Sequence, residues 1–245
     1  MTKYNFIKTA VKEFVFYLTL ARPEKRNAFT PTMVSEIAHA FEEANANEAV
    51  KVVVLKAEGP VFCAGMDLKT FENADLDVEN LQVENKEISL GEVFTQLYKP
   101  SVAIVEGDVI AGAFLMIAGC TYVFCSENTQ FRLPELTIGI FPFQVMASLM
   151  QVMPEKKMLQ LCLNTDYFPA REAMAYGLVD GFLEEIDIDV FLARFKDINS
   201  SAVTAGFKAA RELSSLNVEG RYRFLLKSLH ALKSSIDGKN TTPRK

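Results

Sequence analysis

Residues 30–55 read TPTMVSEIAHAFEEANANEAVKVVVL, and the order of patterns in them decides the class of fold. Thr30 followed by Pro31 supplies an N-cap and a first-turn residue: the hydroxyl accepts an orphan amide, and proline has no N–H to leave unsatisfied. Met33, Ile37, Ala40 and Phe41 then recur at helical spacing, which predicts a helix over residues 31–44. Residues 52–55 follow as a continuous apolar run, the pattern of a strand buried on both faces. Upstream, residues 4–10 and 14–20 read as short strands separated by a turn at 11–13. Downstream, strand-like runs at 101–105 and 121–125 flank a small-residue helix that begins near Ala111. The repetition of strand, helix and strand is the grammar of an α/β protein with a mostly parallel sheet. Helices are then predicted over 150–163, 170–176, 190–213 and 221–234, with a frayed tail at 237–245. Residues 71–92, rich in Glu, Asp and Asn, read either as a mobile lid over a site or as a solvated helix.

The chain has 245 residues, of which 49% are hydrophobic and 23% charged, enough apolar mass for one sizeable core. A net charge of -5 and a pI near 5.3 argue against nucleic acid as a partner, because phosphate binding needs a dominant basic face. Residues 1–10 carry polar residues throughout and lack the apolar core of a signal peptide, and no later run reaches the length of a membrane span, so a soluble protein without a membrane partner is expected. Cys63, Cys120, Cys125 and Cys162 sit singly in apolar stretches with no metal-ligand spacing. They read as buried thiols of a reducing, cytoplasmic protein, and no metal site is expected. The two histidines, His39 and His230, have no nucleophile or ligand set near them in sequence, so a histidine base is not expected.

Two segments carry chemistry. Residues 59–68 read GPVFCAGMDL, a strand exit into small residues and then a carboxylate. Gly65 permits a tight turn, the Met66 N–H is left to face a ligand oxygen, and Asp67 is expected to hold the loop by bonding nearby amides. Alone, such a Gly-x-Asp turn reads equally as an ordinary strand-to-helix connection. Residues 106–119 read EGDVIAGAFLMIAG and place Gly112 at the first turn of an apolar helix, where amides lack intrahelical acceptors. Alone, its small residues read equally as close helix packing. Together, the segments offer the two separate N–H sources that an oxyanion hole requires.

At these residues the chain resembles the enoyl-CoA hydratase/isomerase, or crotonase, superfamily over nearly its whole length. The resemblance rests on Arg22-Pro23 followed by Asn27-Ala28, on FCAGMDL at 62–68, on VEGDVIAGA at 105–113, on Pro134-Glu135 with Ile138-Gly139, and on AMAYGLV at 173–179. It implies a ClpP/crotonase-like β/α superhelix over residues 1–183 that binds acyl-CoA. It also implies a helical region, 184–245, that packs on neighbouring copies in a homotrimer or a dimer of trimers. Met66 and Gly112 would form the oxyanion hole, while Ala64, Gly65, Asp67 and Leu68 would belong to the loop that grips a bent CoA. Arg22 and Lys25 would meet its nucleotide end. No separate cofactor is implied, since coenzyme A arrives as part of the substrate.

Hydratases of this family use two glutamates. The position matching the first is Leu115, which transfers no proton; the second matches Glu135. A single carboxylate suits the transfer of a proton from C2 to C4 of a 3-enoyl thioester, giving the 2-enoyl isomer. The segment after Glu135 is similar to that of 3-enoyl-CoA isomerases, with Phe141 and Phe143 expected as an apolar wall that excludes water. Asp108 and the acids Asp75, Asp77, Glu79, Glu84 and Glu87 remain candidates for a second acid. Another reaction of the family (hydration, decarboxylation or thioester hydrolysis) and a catalytically silent acyl-CoA-binding protein stand as alternatives.

Overall fold

The computed structural model describes residues 2–240, with side chains as far as 235. Strands β1 (Ile7–Lys12) and β2 (Val15–Leu20) form an antiparallel hairpin, followed by helix α1 (Pro31–Ala46) and strand β3 (Val52–Ala57). Next come β4 (Val61–Cys63), α2 (Leu68–Glu72), α3 (Leu90–Thr95), β5 (Ser101–Val105), β6 (Asp108–Ile110) and α4 (Phe114–Gly119). Then follow β7 (Tyr122–Cys125), β8 (Gln130–Arg132), α5 (Phe143–Leu149), α6 (Glu155–Leu163), β9 (Phe168–Pro169), α7 (Ala170–Ala175), β10 (Gly181–Phe182) and α8 (Ile188–Ala193). Helices α9 (Ser200–Leu213) and α10 (Val218–Asn240) make a second compact unit that begins at Asp197.

The strands divide between two sheets in a repeating way. One long strand enters a six-stranded sheet of order β1-β2-β3-β5-β7-β10, and the next, short strand enters a four-stranded sheet of order β4-β6-β8-β9. After β2 every neighbouring pair in the larger sheet is parallel, as are β4 with β6 and β6 with β8. The unit is therefore strand, strand, helix, and its repetition coils the chain.

Burial on both faces explains the continuous apolar runs. Val53, Leu55, Ala103 and Val105 join the main core with Ile37, Phe41 and Phe114. The alternate residues Val52, Val54, Val102 and Ile104 join a second cluster that is closed by Phe191 and Leu192 of α8. Because α8 seals that face, the first unit extends to Lys196, beyond the boundary expected at residue 183.

Other differences from expectation have local causes. The helix expected over 150–163 begins only at Glu155, since Pro154 disfavours helix at the residue before it and stands at the N-cap of α6. Asn199 caps α9 through its side chain, accepting from Ala202 N at 2.9 Å, and so interrupts the helix expected over 190–213. Of the tail expected to fray, residues 237–240 continue α10 and 241–245 lie outside the described residues. Residues 71–92 form no single helix. Asp77 accepts from Thr32 N at 2.8 Å, Asn80 donates to Glu36 at 2.6 Å, and Lys86 N donates to Ser35 Oγ at 3.0 Å, so the segment is tied to α1. Among the described residues no helix is long and apolar enough to cross a membrane.

Candidate active site

The smaller sheet assembles the site. Strands β4, β6 and β8 are adjacent and parallel, and the three groups singled out by the sequence sit just beyond their C-terminal ends: Met66 after β4, Gly112 after β6 and Glu135 after β8. Neighbouring strands lie about 4.8 Å apart, so sheet register alone delivers two main-chain amides and a carboxylate to one edge.

Met66 forms an isolated parallel bridge with Phe29. Phe29 N donates to Gly65 O at 2.8 Å and Asp67 N donates to Phe29 O at 2.9 Å. Those two bonds bracket Met66, and alternation along an extended chain turns its own N–H to the opposite side. Gly112 lies there: a Cβ on it would stand 3.6 Å from Met66 N and 2.9 Å from the Phe29 ring. Gly65, at φ +88°, allows the approach, since a Cβ on it would stand 2.7 Å from Ala111 Cβ and 3.0 Å from Gly112 N. Ala111 itself has φ +53°, a left-handed conformation unusual for a residue with a Cβ. It turns the chain from β6 into the short 3-10 turn Ala111–Ala113 that carries the Gly112 amide.

Glu135 opens the 3-10 turn Glu135–Ile138 after Pro134. Its Oε2 is enclosed and has no protein hydrogen-bond partner among the described residues. Burial pushes its carboxyl above the usual glutamate range. The neighbouring Cys162 thiol is pushed up to about 11, by burial first and by the Glu135 charge second. Leu115 is 2% exposed, within van der Waals reach of Gly91, whose Cβ would lie 3.4 Å from its Cδ2.

Met66 stands between two clefts. The first, of about 630 Å³, is lined by Arg22, Lys25, Ala64, Asp67 and Leu68 together with Arg26 and Lys69. Gly65 is buried behind it. The second, of about 360 Å³, is lined by Phe29, Phe71, Ile88, Leu90, Glu87 and Gln144 among others.

Three placements correct the sequence reading. Arg22 does line the first cleft, but its side chain is only 10% exposed: Nη1 donates to Asp67 Oδ2 at 2.8 Å and to Ala28 O at 2.7 Å. Lys25, Arg26 and Lys69 are the exposed cations of that cleft. Asp67, correspondingly, holds the loop through Arg22 and makes no side-chain cap on α2. Phe143 is 73% exposed and, with Phe141, lines neither cleft; the wall of the second cleft comes from Phe29, Phe71 and Gln144 instead. Of the other acids, Asp108 accepts from Gln130 N at 3.1 Å across β6 and β8, and Asp77 is bound to α1. Only Glu87 lines the second cleft. The sequence contained no signal for the strained Ala111 or for Gln144, because backbone conformation and cross-chain packing decide both.

His39 hydrogen-bonds through Nδ1 to the Tyr4 hydroxyl at 2.8 Å on α1, in a structural role. The four cysteines are free, and no cluster of His, Cys, Asp and Glu among the described residues could hold a metal.

The exits of three adjacent parallel strands thus bring together the Met66 and Gly112 backbone and a carboxylate with an enclosed oxygen, with a cleft on either side of Met66. The chain belongs to the enoyl-CoA hydratase/isomerase family, whose model matches residues 10–214. It is 29% identical over 224 residues to the hydroxycinnamoyl-CoA hydratase-lyase of Pseudomonas fluorescens, covering 86% of this chain and 81% of that one. It is 32% identical over 172 residues to the mevalonyl-coenzyme A hydratase sidH of Aspergillus fumigatus, covering 69% of this chain and 63%, under two thirds, of the relative. The fold matches the crystal structure of an enoyl-CoA hydratase from Mycobacterium smegmatis with a TM-score of 0.78 at 22% identity, covering 93% of this chain and 90% of that one. It matches the human enoyl coenzyme A hydratase domain-containing protein 3 equally, with a TM-score of 0.78 at 20% identity, covering 93% and 91%. The fold is thus the crotonase β/α superhelix followed by a helical region.

Proposed function

We propose that this chain shifts the double bond of a 3-enoyl-CoA to give the 2-enoyl-CoA. The thioester oxygen accepts hydrogen bonds from the Met66 and Gly112 amides. Glu135 takes the C2 proton, the electron pair delocalises to the thioester oxygen, and the enolate is held by both amides. Glu135 then returns the proton to C4 as the C3–C4 double bond moves to C2–C3. Lys25, Arg26 and Lys69 meet the phosphates, and the acyl group enters the second cleft.

The observation that carries this reading is the single enclosed carboxylate. Glu135 has an oxygen with no partner, whereas position 115 is a buried leucine. The test is incubation with a 3-enoyl-CoA, a 2-enoyl-CoA and a saturated acyl-CoA, with products identified by mass and by the absorbance of the conjugated thioester. Isomer without mass change is the expected product. The names of the relatives, a hydratase-lyase and a hydratase, favour a second reading, addition of water to the 2-enoyl thioester. A 3-hydroxyacyl product forming as fast as the isomer would establish that reading. Failure to bind acyl-CoA or free CoA in calorimetry would exclude both.

Leu115→Glu tests the missing position directly. The site is enclosed, so the new carboxylate is expected to titrate upward and to lower stability by about 1–3 kcal/mol, in the range of protein mutational data for uncompensated buried polar groups. Hydratase activity absent from the parent is expected to emerge; thermal melts and product analysis of the folded variant check both parts.

Arg22→Met is expected to slow a full CoA thioester and a truncated pantetheine thioester by the same factor, about tenfold or more, because the Arg22–Asp67 pair holds the Met66 strand. It should also destabilise the fold by about 3 kcal/mol by stranding Asp67. A loss confined to the CoA thioester would make Arg22 a nucleotide ligand.

The assembly we propose is a homotrimer or a dimer of trimers. Helix α10 carries Val218, Tyr222, Leu225, Leu226 and Leu229 exposed at helical spacing, a stripe suited to packing on another copy. A monomer in sedimentation at micromolar concentration would refute it.

A further inference from the structure

The second cleft has two unlike sets of lining residues. Phe29 and Phe71 meet edge to face, with ring centroids 6.1 Å apart, and with Ile88 and Leu90 they make an apolar wall beside Met66. Glu87 and Gln144 line the same cleft. Two further polar residues at the cleft are already engaged: the Lys86 ammonium pairs with Glu42, and the Ser89 hydroxyl donates to Glu92 Oε2 at 2.7 Å within the capping box of α3. The side chains of Glu87 and Gln144 are exposed and have no hydrogen bond or ion pair among the described residues, so their acceptor and donor capacity, met by solvent when no ligand is bound, is open to a ligand.

The cleft, at about 360 Å³, is near the small end of ligand sites and suits a short acyl group. A short hydrocarbon chain would cover Glu87 and Gln144 without offering either a partner, whereas a chain ending in a hydroxyl would donate to the carboxylate and accept from the amide. We propose that the acyl group this cleft receives is short and carries a hydroxyl beyond the reacting carbons, and that Glu87 and Gln144 are the residues that read it. The inference rests on the acyl-CoA reading above and adds the substrate class to it.

Calorimetry with the full chain tests this with saturated, unreactive probes: pentanoyl-CoA, 5-hydroxypentanoyl-CoA and free CoA. The parent is expected to bind 5-hydroxypentanoyl-CoA about tenfold or more tightly than pentanoyl-CoA, as a hydrogen bond to a charged acceptor implies. In Glu87→Leu, and independently in Gln144→Leu, the ratio of the two affinities is expected to fall toward one. Both positions are exposed, so both variants should fold. Equal affinities in the parent, or a preference that survives both substitutions, would overturn the proposal while leaving the acyl-CoA reading intact if pentanoyl-CoA binds. Binding of none of the three probes would overturn that reading and this one with it. If the parent shows no preference and Glu87→Gln slows 3-pentenoyl-CoA turnover a hundredfold, Glu87 is an acid of the reaction and no specificity element.

Discussion

Glu135→Gln is expected to lower isomerisation by a hundred- to ten-thousand-fold, the range for loss of a general base, with binding of CoA retained. The substitution keeps side-chain volume and removes only the ability to accept a proton. A second readout comes from titration. Burial raises the Glu135 carboxyl above the usual glutamate range, so its native form holds a proton more tightly than the unfolded chain does. The stability this confers is complete below the ordinary glutamate value and is lost as pH rises through the folded one. Glu135→Gln should therefore melt higher than the parent at neutral pH even as its activity collapses. The acidic limb of the parent's pH–rate profile, set by deprotonation of Glu135, should vanish in the variant's residual rate. Activity within about threefold of the parent would move the chemistry away from Glu135, with Glu87 the next group to test.

Gly65→Ala is expected to have the second largest effect, a loss of about a hundred- to a thousandfold in kcat, comparable to removing an oxyanion donor. At φ +88° any side chain is strained, and the added methyl would meet Ala111 Cβ at 2.7 Å and Gly112 N at 3.0 Å. The wedge falls between the two amides and must spread them. Strain at this position should also cost about 1–3 kcal/mol of stability. Kinetics on the folded fraction separate the two consequences: a variant that melts early but turns over normally when folded would show that the spacing of the amides does not set the rate.

Much of the fold was legible because burial on both faces writes itself into composition. Residues 52–55 and 101–105 are apolar without alternation, and they became the central strands β3 and β5. The close approach of the two glycine turns was legible for a related reason, since Gly65 and Gly112 stand where a Cβ would collide. What escaped was decided by contacts distant in sequence. Arg22 looks like a solvated phosphate ligand until Asp67 is brought to 2.8 Å from it. Phe141 and Phe143 follow Glu135 closely in sequence, yet the chain turns at Gly139, in a left-handed conformation, and carries Phe143 to the surface. Ala111 is invisible as a conformational outlier because propensity assigns positive φ to the adjacent glycine.

In the proposed reaction both oxyanion donors belong to the main chain, which divides the protein's exposure to mutation unevenly. Replacing the Met66 side chain leaves its N–H in place, held by the Phe29 bridge, so the capacity to polarise a thioester is encoded in register and glycine and not in any functional group. Proton transfer, in the proposed reaction, would hang on one side chain, Glu135, at the third strand exit. On that proposal, a lineage that drifts at position 135 or gains an acid at position 115 would exchange one reaction for another while keeping the same activated intermediate. The scaffold is thus robust for activation and evolvable for outcome.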